Sequence, residues 1–348
     1  METSAAVSEP AVSEPAEPLA EPIAEPEWQR HENGRWVLGD AGRQPETRPA
    51  PSTVVAPGRP DTVVDGGRLG ALSYRATSLR GLGHQQNGTP RQDSYLVRPT
   101  RDESFLVGCV CDGVSEQKRS HEAADVVCDV ITKELVAAFA AKDFEADPED
   151  WESTVDRLPW QAAVDAASRA VVAAAEGFLR RSYTLRNKTE ELERLDAKPF
   201  DAARARQVMS TTAVAFVVAT QPRQDGRFPL AMAVAAGDSS VMLLTGEGWE
   251  PLTAIKNEGE DIASSAVSPL PREATVEPIA RYLCDGDVLA VVTDGIGDPL
   301  GRGQGVVGRF LAKMWREPPD LLAFAQHAAF YRKSFSDDRT AVVVWPQA

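Results

Sequence analysis

The sequence predicts an α+β sandwich with helices on its outer faces, and three observations carry that expectation. Short β-branched runs bounded by Gly, Asp or Pro recur along the chain. Two long segments between them repeat apolar residues at three- and four-residue spacing. Strands come early, the long helices next, then strands again and late helices, an order that suits helices packed outside sheets. The expected strands are Leu72 to Ser78, Tyr95 to Val97, Phe105 to Cys111, Thr211 to Thr220, Leu230 to Ala236, Val241 to Thr245, Val288 to Thr293 and Thr340 to Trp345. Helices are expected over Ser120 to Lys142, with Ser120 as N-cap, and over Trp160 to Tyr183. Val306 to Trp315 and Pro319 to Arg332 should be helical too, the second with Pro in its first turn. The charged stretch Arg186 to Arg206 reads as either a helical hairpin or a loop.

The 348 residues carry 37 basic and 52 acidic side chains, a net charge of −15. A surface of that sign repels phosphate backbones, and no basic stripe overrides it, so nucleic acid is not an expected partner. No apolar run approaches the roughly 18–20 residues of a membrane helix, and the N-terminus lacks the basic and apolar regions of a secretory signal. The four cysteines, Cys109, Cys111, Cys128 and Cys284, show no CxxC spacing and read as free thiols in a reducing compartment. A soluble, cytoplasmic monomer is expected.

Seven Glu and no Asp, Lys or Arg fall in residues 1–29, where prolines at 10, 15, 18, 22 and 26 forbid a helix. Residues 1–70 are therefore expected to be a disordered Pro/Glu-rich tail and linker, with Ser8 and Ser13 as modifiable positions and Trp28 and Trp36 as its large apolar anchors. The folded domain is expected over residues 71–348.

Five Asp-Gly pairs occur, and those at 65, 225 and 285 read as linker or turns. Asp112 and Asp294 differ, because each ends a fully apolar run, FLVGCVC and VLAVVT. Asp238 repeats the arrangement after AMAVAAG, Asp93 precedes a strand, and Asp337 and Asp338 stand just before the last one. Carboxylates at the mouths of buried strands are costly to desolvate unless paired or bound to a cation. Without interleaved Lys or His they call for a hard divalent ion with oxygen ligands, Mg or Mn, whereas zinc would want His or Cys.

Taken in order, these motifs resemble the PP2C (PPM) family of metal-dependent serine/threonine phosphatases. The resemblance runs from Leu72 to Trp345 and rests on Arg91-Gln92-Asp93-Ser94, Cys111-Asp112-Gly113-Val114, Ser210-Thr211-Thr212-Ala213, Ala236-Gly237-Asp238-Ser239, Thr293-Asp294-Gly295-Ile296 and Asp337-Asp338-Arg339-Thr340. It implies a four-layer α-β-β-α sandwich of two antiparallel sheets flanked by helices, with two Mn2+ or Mg2+ ions at one edge. By resemblance, Asp112 bridges the ions, Gly113 offers a carbonyl, Asp294 and Asp337 complete the first metal, Asp93 serves the second, and Asp238 with Asp294 serves a third. Asp112, Asp294 and Asp337 are then the catalytic carboxylates, acting through metal-bound water, while Thr211 and Thr212 are structural. A hydroxide bridging the ions attacks phosphorus without a protein nucleophile. The implied substrate is a phosphoserine or phosphothreonine protein, with a serine/threonine kinase in the same pathway.

Two departures matter. Where many members carry a phosphate-binding Arg and a Glu directly before the first Asp, this chain has Gly88 and Gln92, so His84 or Arg91 is expected to meet phosphate instead. The His84-to-Asp93 segment looks like a divergent bacterial branch. The same departures motivate an alternative, a pseudophosphatase that binds phosphoproteins without turnover. A calcium-binding reading lacks an EF-hand loop. Relatives carry a flap beside the site, and the loop Ala254 to Arg272, rich in Ser, Pro and Glu, is the stretch to compare with it.

Overall fold

A computed structural model describes residues 27–50, 58–117, 119–253 and 269–347. Along the chain come β1 (Trp28–Arg30), β2 (Trp36–Leu38), β3 (Thr62–Leu69), β4 (Leu72–Leu79), α1 (Leu82–Asn87), β5 (Ser94–Pro99) and β6 (Phe105–Cys111). Helices α2 (Ser120–Phe139), α3 (Trp151–Arg157), α4 (Trp160–Leu185), α5 (Thr189–Asp196) and α6 (Ala202–Arg206) follow. Then come β7 (Ala213–Ala219), β8 (Phe228–Ala236), β9 (Ser240–Thr245), β10 (Gly248–Pro251), β11 (Ile279–Leu283) and β12 (Val288–Val292). The chain closes with α7 (Asp294–Leu300), α8 (Val306–Met314), α9 (Leu321–Ala328) and β13 (Arg339–Pro346).

The strands form a six-stranded sheet, β10-β9-β12-β13-β4-β3, and a five-stranded sheet, β11-β8-β7-β6-β5, with antiparallel pairing throughout. Central strands are covered on both faces, which is why they read as unbroken apolar runs. Side chains nevertheless alternate between layers. In β6, Leu106 and Val110 enter the core between the sheets, while Phe105, Val107, Cys109 and Cys111 face α2 and α4. In β13, Val342 and Val344 point inward, and Ala341, Val343 and Trp345 pack beneath α8 and α9. The result is the expected α-β-β-α sandwich.

A Cβ on Gly108 would sit 2.2 Å from the Phe216 ring, so only glycine allows β6 and β7 to pair with that ring between them. Cys109, Cys111 and Cys128 are buried thiols between β6 and α2, whereas Cys284 is exposed.

Several local expectations change. β3 pairs with β4 along its whole length, so Asp65-Gly66 lies in an edge strand and not in a linker. Ordered chain reaches back further, because Trp28 and Trp36 set their rings edge-on to Phe310 at 5.6 and 5.4 Å and Val37 bridges Tyr331. The boundary at Ala71 thus falls in the β3–β4 turn, while the Pro/Glu tail over residues 1–26 lies outside the described residues. So does most of the stretch from Ala254 to Arg272.

Ser120 is the first residue of α2 and not its cap. Arg119 takes the cap position, and the buried Ser120 Oγ accepts from the Ser210 N–H at 3.4 Å. Asp320, not Pro319, starts α9, its carboxylate accepting the Leu322 and Ala323 N–H groups at 3.0 and 2.9 Å. The charged stretch after Tyr183 folds as the short helices α5 and α6, the latter capped by Asp201.

Candidate metal centre

Strand β6 delivers Asp112 to the edge of the sandwich, and two threonines fix its backbone there. The Asp112 N–H donates to Thr212 Oγ1 at 2.8 Å, and its carbonyl accepts from Thr211 Oγ1 at 2.8 Å and the Thr212 N–H at 2.7 Å. This agrees with the structural role expected for both. Gly113 follows because a Cβ would stand 2.6 Å from the Gln92 carbonyl oxygen. Gly237 has φ +86°, and a Cβ there would collide with the Thr212 side chain, so the turn that presents Asp238 requires glycine.

Asp93, Asp112 and Asp294 converge with Asp337 and Asp338. Asp93 is 1% exposed, and its Oδ2 accepts from Thr293 Oγ1 at 2.7 Å. Burial raises its pKa, and the charges of Asp338, Asp337 and Asp294 raise it further. Burial likewise raises Asp112, followed by the charges of Asp93, Asp294 and Asp337. Asp294, which opens α7 and is hydrogen-bonded to Asp112, is pushed up to about 6 by burial and by Asp337, with Asp298 and Asp238 adding to it. Asp238 therefore belongs to the same field.

The two closing aspartates divide the work. Asp338 is 1% exposed and turns inward, its Oδ1 accepting the Gly81 N–H at 2.6 Å and its Oδ2 the Gln92 N–H. Asp337 is half exposed and faces a cleft of about 250 Å³ lined by His84, Ser115, Asp294 and Asp298. His84 Nε2 lies 3.4 Å from Asp337 Oδ1, and its Nδ1 is 2.8 Å from the Pro90 carbonyl oxygen. A carbonyl only accepts, so Nδ1 carries the hydrogen and Nε2 is left for the cleft.

Arg91 does not join this group. It is 4% exposed, and its guanidinium donates to Ser78 Oγ at 2.5 Å, to the Asp93 carbonyl at 2.6 Å and to the Pro60 carbonyl at 3.2 Å. The phosphate contact expected of it is corrected: the guanidinium is consumed behind the Asp93 backbone, away from the cleft. Gln92 is spent as well, its Nε2 donating to the Gln117 carbonyl at 2.8 Å.

Asp298 was missed from sequence, although it follows Asp294 by one helical turn in DGIGD; that spacing means something only once α7 is known to be a helix. The donors of the cluster are almost all carboxylate oxygens that repel one another, and the charges acting on Asp93, Asp112 and Asp294 are all acidic. Such a set fits hard divalent cations.

A family model described as Protein phosphatase 2C matches residues 80–320. The chain belongs to the protein phosphatase 2C family. It is accordingly a protein serine/threonine phosphatase. The matched span includes His84, Asp93, Asp112, Asp238 and Asp294 and stops before Asp337.

Among solved structures, the phosphatase is similar to the Mycobacterium tuberculosis serine/threonine phosphatase PstP/Ppp, at 19% identity and a TM-score of 0.47 over 80% of this chain and 99% of that one. The catalytic domain of PstP in complex with two manganese ions gives 20% identity and a TM-score of 0.44, covering 80% and 99%. The S. agalactiae serine/threonine phosphatase gives 13% and 0.46, covering 82% and 100%. No curated protein sequence matches the chain. Among the described residues, no helix is long and apolar enough to cross a membrane.

Proposed function

We propose that this phosphatase hydrolyses phosphoserine and phosphothreonine on proteins at the acidic edge, with Asp93, Asp112, Asp238, Asp294 and Asp337 and the Gly113 carbonyl as the groups that hold two Mn2+ or Mg2+ ions and a weaker third. The carrying observation is convergence: Asp93 and Asp294 both act on Asp112, Asp112 is hydrogen-bonded to Asp294, and every charge that shifts Asp93, Asp112 and Asp294 comes from another aspartate. When bound, the ions supply an activated water as nucleophile and offset charge on the transferring phosphoryl group.

The chain's own residues set the geometry. Thr211 and Thr212 hold the Asp112 backbone, and the Thr293 hydroxyl orients the Asp93 carboxylate. Asp338 ties the loop before α1 to Gln92, so the segment bearing Asp93, just before β5, and the helix bearing His84 keep a fixed spacing. His84 supplies the phosphate contact through Nε2: protonated, it donates to a phosphoryl oxygen, while its Nδ1–H stays on Pro90.

The test is hydrolysis of a phosphopeptide with Mn, with Mg and with EDTA, beside Asp112→Ala and Asp294→Ala. Turnover that needs metal and collapses in both variants supports the reading. Absent or metal-independent turnover, with both variants matching the parent, sinks it and leaves phosphoprotein binding as the remaining use of the fold.

A further inference from the structure

His84 stands on a helix too short to hold itself. The six residues of α1 fall below the length at which a helix is stable alone, and outside groups must take its terminal carbonyls. The segment that does so comes from the N-terminal side of the chain. The Arg48 N–H donates to the Gln85 carbonyl at 2.9 Å, and the Thr47 hydroxyl donates to Gln85 Oε1 at 3.2 Å. Arg80, 4% exposed, joins the pieces: its guanidinium donates to the carbonyls of Arg48 at 2.8 Å, His84 at 3.0 Å and Thr89 at 2.8 Å, and pairs with Asp61 at 3.1 Å.

The same segment holds the opposite wall of the cleft. Ser334, Phe335 and Ser336 line that wall ahead of Asp337, and the residues just before them are bonded to residues 36–40. The Tyr331 N–H donates to the Trp36 carbonyl at 2.6 Å, the Leu38 N–H to the Tyr331 carbonyl at 3.0 Å and the Lys333 N–H to the Asp40 carbonyl at 2.8 Å. Arg332 Nη1 donates to the Leu38 carbonyl at 3.0 Å, and Lys333 Nζ pairs with Asp40 at 3.0 Å. Ser334 has φ +71°, a conformation that a residue other than glycine keeps only when its surroundings impose it. The walls also meet directly, the Gly83 N–H donating to the Ser336 carbonyl at 2.8 Å. The Trp28 and Trp36 rings anchor the segment on Phe310, and all of it lies before residue 80, where the family match begins.

We propose that residues 36–49 are a positioning strap for the reaction, fastened to both walls of the cleft, which keeps His84 at the spacing from Asp337 that its phosphate contact needs. The inference rests on the reading of the cleft given above. Thr47 and Arg48 are positioning residues that act through α1, and not catalytic ones. Their effect is geometric, since a displacement of about 1 Å at a reacting group can cost up to about a hundredfold in rate.

The test uses the full chain and a double-mutant cycle. Arg48→Pro removes the N–H bound to Gln85, in a stretch that already contains Pro45 and Pro49. It should lower kcat/KM for a phosphopeptide in Mn by about three- to tenfold, the weight of one hydrogen bond, and speed amide exchange in α1 by a similar factor. Arg48→Ala keeps the N–H and should recover both values. In a His84→Ala background, Arg48→Pro should change kcat/KM by less than about twofold, because no imidazole is left to position. Lys333→Pro releases the other wall and should give the same loss as Arg48→Pro. It sits at the second position of a turn closed by the Phe335 N–H on the Arg332 carbonyl, where proline fits. Equal losses from Arg48→Pro in both backgrounds, or parent-like kinetics in both proline variants, overturn the strap. A parent without phosphopeptide turnover overturns the reading of the cleft instead; unchanged exchange in Arg48→Pro then overturns the strap too, and faster exchange upholds its grip on α1.

Discussion

Asp93 separates an acidic region from one that holds arginines. Its carboxylate faces Asp112, Asp294 and Asp337, while its backbone carbonyl accepts from Arg59 at 2.8 Å and Arg91 at 2.6 Å. A conventional ion pair would bring these signs together. Here the backbone of one strand start keeps them apart: mutually repelling carboxylates gather on one face, while on the other Arg59 and Arg119 are paired with Asp125 and Glu122. Buried charge left uncompensated is costly, so it marks where a ligand of opposite sign completes the structure.

The sharpest way to break this contrast is to neutralise the acidic side. Asp112→Ala should lower phosphopeptide turnover in Mn by about a thousandfold or more, the scale of losing a group that organises charge in the transition state. Its thermal midpoint in EDTA should stay at or above that of the parent, since one source of repulsion is gone. Steady-state kinetics and a thermal melt check the two halves.

Neighbouring Asp337 and Asp338 offer a finer cut. Asp338→Ala leaves the Gly81 and Gln92 N–H groups buried without acceptors and should cost about 2–4 kcal/mol of stability. Asp337→Ala, at a half-exposed carboxylate, should change stability little while lowering turnover and Mn affinity. Denaturant unfolding beside kinetics separates them, and the reverse pattern would exchange their roles.

His84 and Arg91 test the correction made above. His84→Ala should cut kcat/KM by roughly 10- to 100-fold with the fold retained, the usual weight of a charge-assisted contact to phosphate. Arg91→Ala should act mainly on stability, by about 2–3 kcal/mol, because the Ser78 hydroxyl and the Asp93 and Pro60 carbonyls lose their donor.

The smallest effect expected is acid sensitivity on the basic side. Burial, then Arg119 and Arg59, hold the His121 pKa down at about 4 against an ordinary 6.5. A histidine whose folded pKa is depressed stabilises the fold above the unfolded value and loses that contribution as pH falls from about 6.5 toward 4. His121→Gln should show a shallower loss over that window, by about 1–2 kcal/mol, in urea midpoints measured at pH 7 and pH 4.5.

Much of this architecture is legible in the sequence where physics leaves one solution. FLVGCVC and VLAVVT can be nothing but strands covered on both faces, and an aspartate ending such a strand is forced to the sheet edge. The edge strand Thr62–Leu69 was not legible, because TVVDGGRL has an exposed face, an aspartate and two glycines and is held by pairing with β4 and not by its own pattern. Helix α1 is only six residues long, too short for periodicity to register, so the placing of His84 opposite Asp337 had no local signal. Arg91 was misread for a related reason: motif position puts it beside the site, but the direction of a guanidinium depends on which acceptors surround it, here Ser78 and the Asp93 carbonyl. The inward turn of Asp338 is of the same kind, since adjacent aspartates look equivalent until Gly81 and Gln92 offer N–H groups to one of them.

The separation of signs at Asp93 stands or falls on whether its acidic face binds cation. Calorimetric titration of the metal-free full chain with Mn2+, beside Asp112→Asn, reads this directly. Saturable Mn2+ binding in the parent, weakened at least about a hundredfold in the variant, is the predicted result. No Mn2+ binding in the parent, or binding that Asp112→Asn leaves unaltered, would contradict it.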